Sequence, residues 1–317
     1  MFFFTIFISI IISFLITYFV IPLFKKKKWV SVPNERTSHR GVIPVGGSIG
    51  FITVTSISFI LNKDFTILFF LILAIVGFID DLKNLGTKFR LIVQSLIGII
   101  YCTLIFNESL FGSLILNEYL WFLKIPLIAF MAFSFVSLIN FTNFADGLDG
   151  LLTGSMIIVF SAAAYLVDKN FIPLIGGLIG FLILNWHPAK VFMGDSGSYF
   201  LGGLYCSAIL LSHSWINCIA LVIIGSPIYA DTLICVIRRY FENQNVLRPH
   251  KLHLFQRLNQ SGLNHWQVSS IYMSSIILLA LSFIMGNILI LFMTAALVFL
   301  FGLYLDLKVA LPFSEHK

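Results

Sequence analysis

The sequence predicts an all-α fold, a polytopic transmembrane bundle of about 10–11 spans if each takes about 20 residues. Three observations predict it. Hydrophobic residues fill 59% of the 317 positions and charged ones 11%, where a soluble domain carries roughly 25% charged. The apolar residues gather in runs near the length that crosses about 30 Å of hydrocarbon. The Lys and Arg residues are sorted to one side of those runs. These features exclude a soluble globular protein, and the net charge of +6 reflects orientation in a membrane rather than nucleic acid binding.

Apolar runs lie at 2–24, 42–61, 65–79, 91–106, 114–139, 150–167, 171–186, 198–212, 214–236, 267–284 and 287–306. Those at 65–79 and 198–212 are short for a span and read equally as re-entrant pieces. Residues 1–24 lack a basic start and a small-x-small cleavage site, so they read as an uncleaved first helix. The cluster Lys25 to Lys28 then holds the end of that helix in the cytoplasm and leaves the N-terminus outside. The inward loops become 25–41, 80–90, 140–149, 187–197 and 237–266, plus the tail. All of the 20 Lys and Arg except Lys63, Lys124 and Lys169 fall there, which puts the C-terminus in the cytoplasm. The outward loops are tiny, whereas the inward ones hold most carboxylates and His, so one domain over 1–317 with its chemistry on the cytoplasmic side is expected. Cys102, Cys206, Cys218 and Cys235 sit inside apolar runs without metal-type spacing and read as packing residues.

Four polar motifs interrupt this pattern. Asp80-Asp81 closes the third run; adjacent carboxylates repel unless a cation or shared proton relieves them, and Lys83, Lys88 and Arg90 follow to meet phosphate. Asn140, Asn143, Asp146 and Asp149 precede Gly150; the last three, spaced by three, would share one helical face and offer hard oxygens suited to Mg²⁺. Asp195 stands between Gly194 and Gly197 ahead of a span, where free amides of the helix start could face phosphate. The longest inward loop carries Arg248, His250 and His253, the two His able to face the same way on a helix. Zinc fits that pair, but no Cys or further paired His completes a four-ligand set, so anion binding is expected. Oxygens for a metal beside cations for phosphate point to phosphoryl chemistry.

These segments, namely Gly77-Phe-Ile-Asp80-Asp81, Asn140 through Leu151, Val191 through Ser198 and His250-Lys-Leu-His253, resemble in order the signatures of the polyprenyl-phosphate N-acetylhexosamine-1-phosphate transferases. Pro33 through Gly47 is similar to that family's first cytoplasmic loop. The resemblance implies a multi-pass enzyme of the bacterial cytoplasmic (inner) membrane, acting at its cytoplasmic face. It would transfer N-acetylhexosamine-1-phosphate from a UDP-sugar to undecaprenyl phosphate, release UMP and require Mg²⁺, with Mn²⁺ as a substitute. The single spaced pair His250 and His253, in place of three consecutive His, resembles the branch that starts O-antigen, teichoic acid or similar polysaccharides rather than the lipid I branch.

The resemblance also implies roles. Asp195 and Asn143 would hold Mg²⁺, and Asp80 or Asp81 would deprotonate or position the prenyl phosphate. Asn140, Asp146 and Asp149 would line the donor's cleft. His250, His253 and Arg248 would grip the diphosphate and sugar, with Lys88 and Arg90 near the phosphates. Asp231 matches a further family position. The implied partners are the UDP-N-acetylhexosamine, undecaprenyl phosphate and the bilayer, with a homodimer admitted and no nucleic acid. A transporter is the competing class, yet it would place its ionisable residues near mid-bilayer in two related halves.

Overall fold

A computed structural model describes residues 2–32, 41–115, 122–245 and 250–313. Each of the eleven apolar runs contains or becomes one helix. These are α1 (Phe2–Lys26), α2 (Ile49–Leu61), α3 (Ile67–Lys83), α4 (Thr87–Leu104), α6 (Lys124–Ala145), α7 (Leu151–Leu166), α8 (Ile172–Asn185), α9 (Gly194–Leu210), α10 (Trp215–Phe241), α12 (His265–Ile284) and α13 (Ile288–Lys308). Two short helices, α5 (Leu110–Ser113) and α11 (Leu254–Gln260), lie between them. The strands β1 (Val30–Ser31) and β2 (Ile43–Pro44) pair antiparallel and bracket the first loop.

Six helices, α1, α4, α6, α10, α12 and α13, are long and apolar enough to cross a membrane. Against the expected 10–11 spans, these six are the candidates among the described residues: the other five helices are shorter, and α2, with 13 residues, reaches only about 20 Å. The helix ends also move. Residues 80–83, 140–145 and 194–197 are helical, so three of the inward loops are shorter than the sequence suggested. Their polar residues sit on helix termini.

Along much of α1 polarity is inverted relative to a helix of a soluble protein. On α1 Ser9, Ser13 and Thr17, four apart on one face, are buried together with Phe24 near its end, whereas Phe3 and Phe7 are exposed. Lipid is as apolar as Phe, so small and polar residues drive the helix contact. Accordingly Ser13 Oγ donates to Gly177 O on α8 at 2.7 Å, and Gly176 and Gly180 lie against the α1 backbone at Ile6 and Ile10. The helix at the centre is α9, buried along almost its whole length between α3 and α6. Gly202 lets it approach Ile139 of α6, and Gly203 meets Phe70 and Leu73 of α3.

Gly180→Val should therefore drive α1 from α8 and cost about 1–3 kcal/mol, typical of overpacking. Thermal unfolding in detergent should show it, whereas Gly302→Val, which meets open space on α13, should leave the transition unchanged.

Candidate active site

Four helix ends meet at one place: the C-termini of α3 and α6 and the N-termini of α4 and α9. Asp80, in the last turn of α3, is buried and fully engaged. Its Oδ2 lies 2.7 Å from Arg90 Nη1 of α4, and its Oδ1 accepts the Leu85 amide at 2.7 Å. Arg90 also reaches to 3.5 Å of Asp195 Oδ2 and donates to Tyr199 Oη at 3.2 Å. Tyr199, one turn beyond Asp195, places its hydroxyl between the two carboxylates, 3.2 Å from Asp80 and 3.3 Å from Asp195. Lys88 is exposed on the first turn of α4 and makes no ion pair among the described residues.

Asp81 turns the other way, onto the start of α9. Its Oδ1 accepts the Asp195 amide at 2.9 Å, and its Oδ2 lies 3.5 Å from the Ser196 amide. A carboxylate is favoured at a helix N-terminus by the unpaired amides and the macrodipole. The amides that the sequence offered to phosphate are thus occupied by Asp81, which corrects that expectation. The contact needs two glycines. A side chain on Gly77 would meet the backbone of Asp195, and Gly194, at φ +74°, holds a conformation that L-residues avoid next to the Asp81 carboxylate.

The end of α6 divides the Asn and Asp series. Asn143 Nδ2 donates to Asp195 Oδ1 at 2.7 Å and to Ser198 Oγ at 3.0 Å, so it steadies the Asp195 side chain. Asn140 faces α4: its Nδ2 donates to Gln94 Oε1 at 2.7 Å, a contact between helices. The helix stops at Ala145, so Asn143, Asp146 and Asp149 do not share a helical face. Asp146 stays by the cluster. Burial first, then the charges of Asp195 and Asp149, push its carboxyl up to about 7.

Asp149 leaves the cluster for two imidazoles. Its Oδ2 is 2.8 Å from His187 Nδ1 and accepts the Ala189 amide at 3.1 Å, and its Oδ1 is 3.3 Å from His265 Nδ1 at the start of α12. Burial opposes the charge on Asp149, but the hydrogen bonds to His265 and His187 outweigh it and hold the carboxyl below its ordinary range. Ser269 Oγ of α12 adds a bond to the Asp149 carbonyl at 2.9 Å. Asp149 therefore ties the segment that follows α6 to those carrying His187 and His265.

In the last loop, His250 and His253 are not helical as the spacing suggested, yet their rings lie 4.8 Å apart. Burial chiefly, and then nearby positive charge, holds both imidazoles down at about 3, so each is neutral at neutral pH. Any grip on a diphosphate from them is a hydrogen bond rather than an ion pair. Asp231 of α10 fixes this segment. Its carboxylate accepts the Leu254 amide at 2.7 Å, the Phe255 amide at 3.2 Å and the Tyr272 hydroxyl at 2.6 Å. Arg248 falls outside the described residues.

The centre can hold a hard cation. The charge of Asp195 raises the cost of ionising Asp146, while Arg90 is shared between Asp80 and Asp195. A surplus of carboxylate oxygen in a recess fits a divalent metal with oxygen ligands. The sequence reading missed Tyr199, His187, His265, Asn185 and Gln94. His187, six residues ahead of Met193 in the Met193-Gly194-Asp195 turn, was legible as a polar residue flanking a motif. Asn185 binds the Val191 carbonyl at 3.0 Å and Thr153 at 2.7 Å, and it too stands in that segment. Nothing local marks His265, which arrives from 116 residues further along the chain.

A family profile described as "Glycosyl transferase family 4" matches residues 65–213. Among curated relatives, a "Probable undecaprenyl-phosphate N-acetylglucosaminyl 1-phosphate transferase" of Bacillus subtilis is 30% identical, covering 81% of this chain and 78% of its own. An "Undecaprenyl-phosphate alpha-N-acetylglucosaminyl 1-phosphate transferase" of Thermotoga maritima is 31% identical over 78% of this chain and 79% of its own. A "Phospho-N-acetylmuramoyl-pentapeptide-transferase" of a Geobacillus strain is 30% identical over 82% and 91%.

The carboxylate cluster makes its own prediction. Asp195→Asn removes a negative neighbour of Asp146, so the Asp146 carboxyl should titrate below about 7 in that variant. Carbon-13 labelling of aspartate carboxyls, with Asp146→Asn to identify the signal, measures the shift; an unchanged or raised value would refute the coupling.

Proposed function

The chain belongs to glycosyl transferase family 4, and from that premise we propose that it moves N-acetylhexosamine-1-phosphate from a UDP-sugar to undecaprenyl phosphate, releasing UMP. The observation that carries this reading is the position of Asp195: on the first turn of a buried helix, held by Asn143, beside Arg90, within a surplus of carboxylates. The reaction takes place at the cytoplasmic face of the bacterial inner membrane, the side to which the basic residues are sorted. The product starts a lipid-linked cell-envelope polysaccharide.

Asp195 would hold Mg²⁺, with Asn143 beside it, and the ion when bound neutralises charge on the donor's diphosphate. The remaining work falls to side chains. Arg90 has guanidinium donors to spare beyond Asp80 and Tyr199, so it receives a phosphate oxygen next to Asp195. Asp80 and Asp81 are committed to Arg90 and to the α9 amides, so neither acts as a free base. None is required: a phosphate monoester has a second pKa near 6 and is largely ionised at neutral pH. Asp80 instead aims Arg90, and Asp81 aims Asp195. His250 and His253 donate hydrogen bonds to the sugar and diphosphate, joined by Arg248, and Lys88 adds positive charge at the mouth.

The acceptor's tail needs an apolar seat. A cavity of about 360 Å³ between α10, α12 and α13, lined by Pro227, Ile234, Phe299 and Leu303, supports one beside the His253 segment. The identities to relatives of both named activities are nearly equal, so the donor is read from the last motif. Its lone His250 and His253 favour UDP-GlcNAc or a close relative over a muramoyl-pentapeptide donor.

UMP release by the purified protein with undecaprenyl phosphate tests this over UDP-GlcNAc, UDP-GalNAc and UDP-MurNAc-pentapeptide. We expect release from a UDP-N-acetylhexosamine that requires both lipid and Mg²⁺, stops with EDTA and falls by roughly 100-fold or more in Asp195→Asn, the scale of losing one transition-state donor or ligand. Release without lipid, or full turnover in Asp195→Asn, would sink the reading. The Mg²⁺ needed for half-maximal rate should rise as pH falls from about 8 to about 6, because a proton on Asp146 competes with the cation. Asp146→Asn should flatten that dependence.

A further inference from the structure

The sequence left His250 and His253 without a soft partner, and the fold supplies one. Cys235, on the last third of α10, brings its Sγ into a group with ring nitrogens of both His in which every ligand atom lies within 4.8 Å of the others. Cys235 and His253 are each only 3% exposed, and His250 is half-buried at the open side. His253 Nδ1 is buried and has no hydrogen-bond partner; Asp231 Oδ1 stands 4.0 Å away, beyond bonding reach. A buried ring nitrogen left unpaired costs free energy, so this orphan atom points to a missing ligand.

We propose that Cys235, His250 and His253 form a binding site for a thiophilic divalent cation, Zn²⁺ in chemical class, separate from the oxygen-rich site at Asp195. Thiolate and imidazole select zinc-type ions over Mg²⁺, which prefers carboxylate and water. Three protein ligands leave a fourth tetrahedral position, on the half-buried His250 side, for water or another oxygen. Binding releases the thiol proton to solvent and forms one metal–sulfur and two metal–nitrogen bonds, with no change of oxidation state. At His250 there is a small opposing cost. Its Nδ1 now accepts the Leu252 amide at 3.2 Å, and a metal on either nitrogen forfeits that bond. Asp231 already fixes the backbone just after His253, so the ring that must meet Cys235 is held near it in advance.

Such an ion would lock the last loop to α10. The other cysteines have no such company: Cys102, Cys206 and Cys218 are buried and join no metal-type group among the described residues.

The test is a cobalt titration of the full chain in detergent after chelator treatment. One equivalent of Co²⁺ should produce a thiolate-to-cobalt charge-transfer band, which Zn²⁺ abolishes and excess Mg²⁺ leaves intact. Cys235→Ser, nearly isosteric, should lose the band while keeping the elution profile and melting transition of the metal-free protein. His250→Ala should keep the fold and weaken Co²⁺ affinity by roughly 10-fold or more, as losing a ligand or its support does. No band in the parent protein, or an undiminished band in Cys235→Ser, overturns the proposal. The readout needs no turnover, so its failure is distinguishable from failure of the transferase reading.

Discussion

The organisation of the polar centre depends on one contact between helices: the Asp81 carboxylate on the first amides of α9. That bond fixes where Asp195 stands, and everything else is arranged about it. Asn143 and Arg90 meet Asp195 because its helix starts at that point. Tyr199 reaches both Asp80 and Asp195 because it follows one turn later. The contact is made possible by what is missing, since Gly77 and Gly194 leave no side chain between the carboxylate and the helix start. Acidic groups that would repel one another in a loose loop are thereby given separate tasks. Asp80 has its guanidinium and Asp81 its helix amides, while Asp195 shares Arg90 with Asp80 and takes a bond from Asn143.

Much of the fold was legible because a bilayer imposes a strong rule. Every backbone group must find its partner internally, so apolar runs form helices, and each run holds one. The ends were less legible. Apolar periodicity stops where polar residues begin, but helices here continue into their polar residues: Asp80 and Asp81 on α3, Asn140 and Asn143 on α6, Asp195 on α9. The reason is that these side chains face one another inside the protein, so they do not end the helix as solvent-seeking residues would.

The site was legible as a set of residue types and illegible as a set of pairings. The family resemblance implied Asp195 and Asn143 together, and a hydrogen bond joins them in the structure. Asp146 and Asp149, three residues apart, read as partners, yet a turn at Gly147 and Gly150 sends them to different surroundings. His265 and Cys235 carried no local signal at all. Each lies in an apolar stretch or at its border and gains its role only when distant segments are brought together. A linear spacing rule can find a pair of ligands on one helix but not a third arriving from another.

The burial of α9 has a bearing on how the chain enters the membrane. Its 17 residues include four glycines, and almost none of them touches lipid in the finished bundle. Such a segment gains little from hydrocarbon and much from neighbours, so it is a poor candidate to settle in the bilayer alone. Its two flanking helices, α3 and α6, both come earlier in the chain. Synthesis from the N-terminus therefore delivers the walls of the groove before the helix that fills it. The helix received by those walls is the one that carries Asp195.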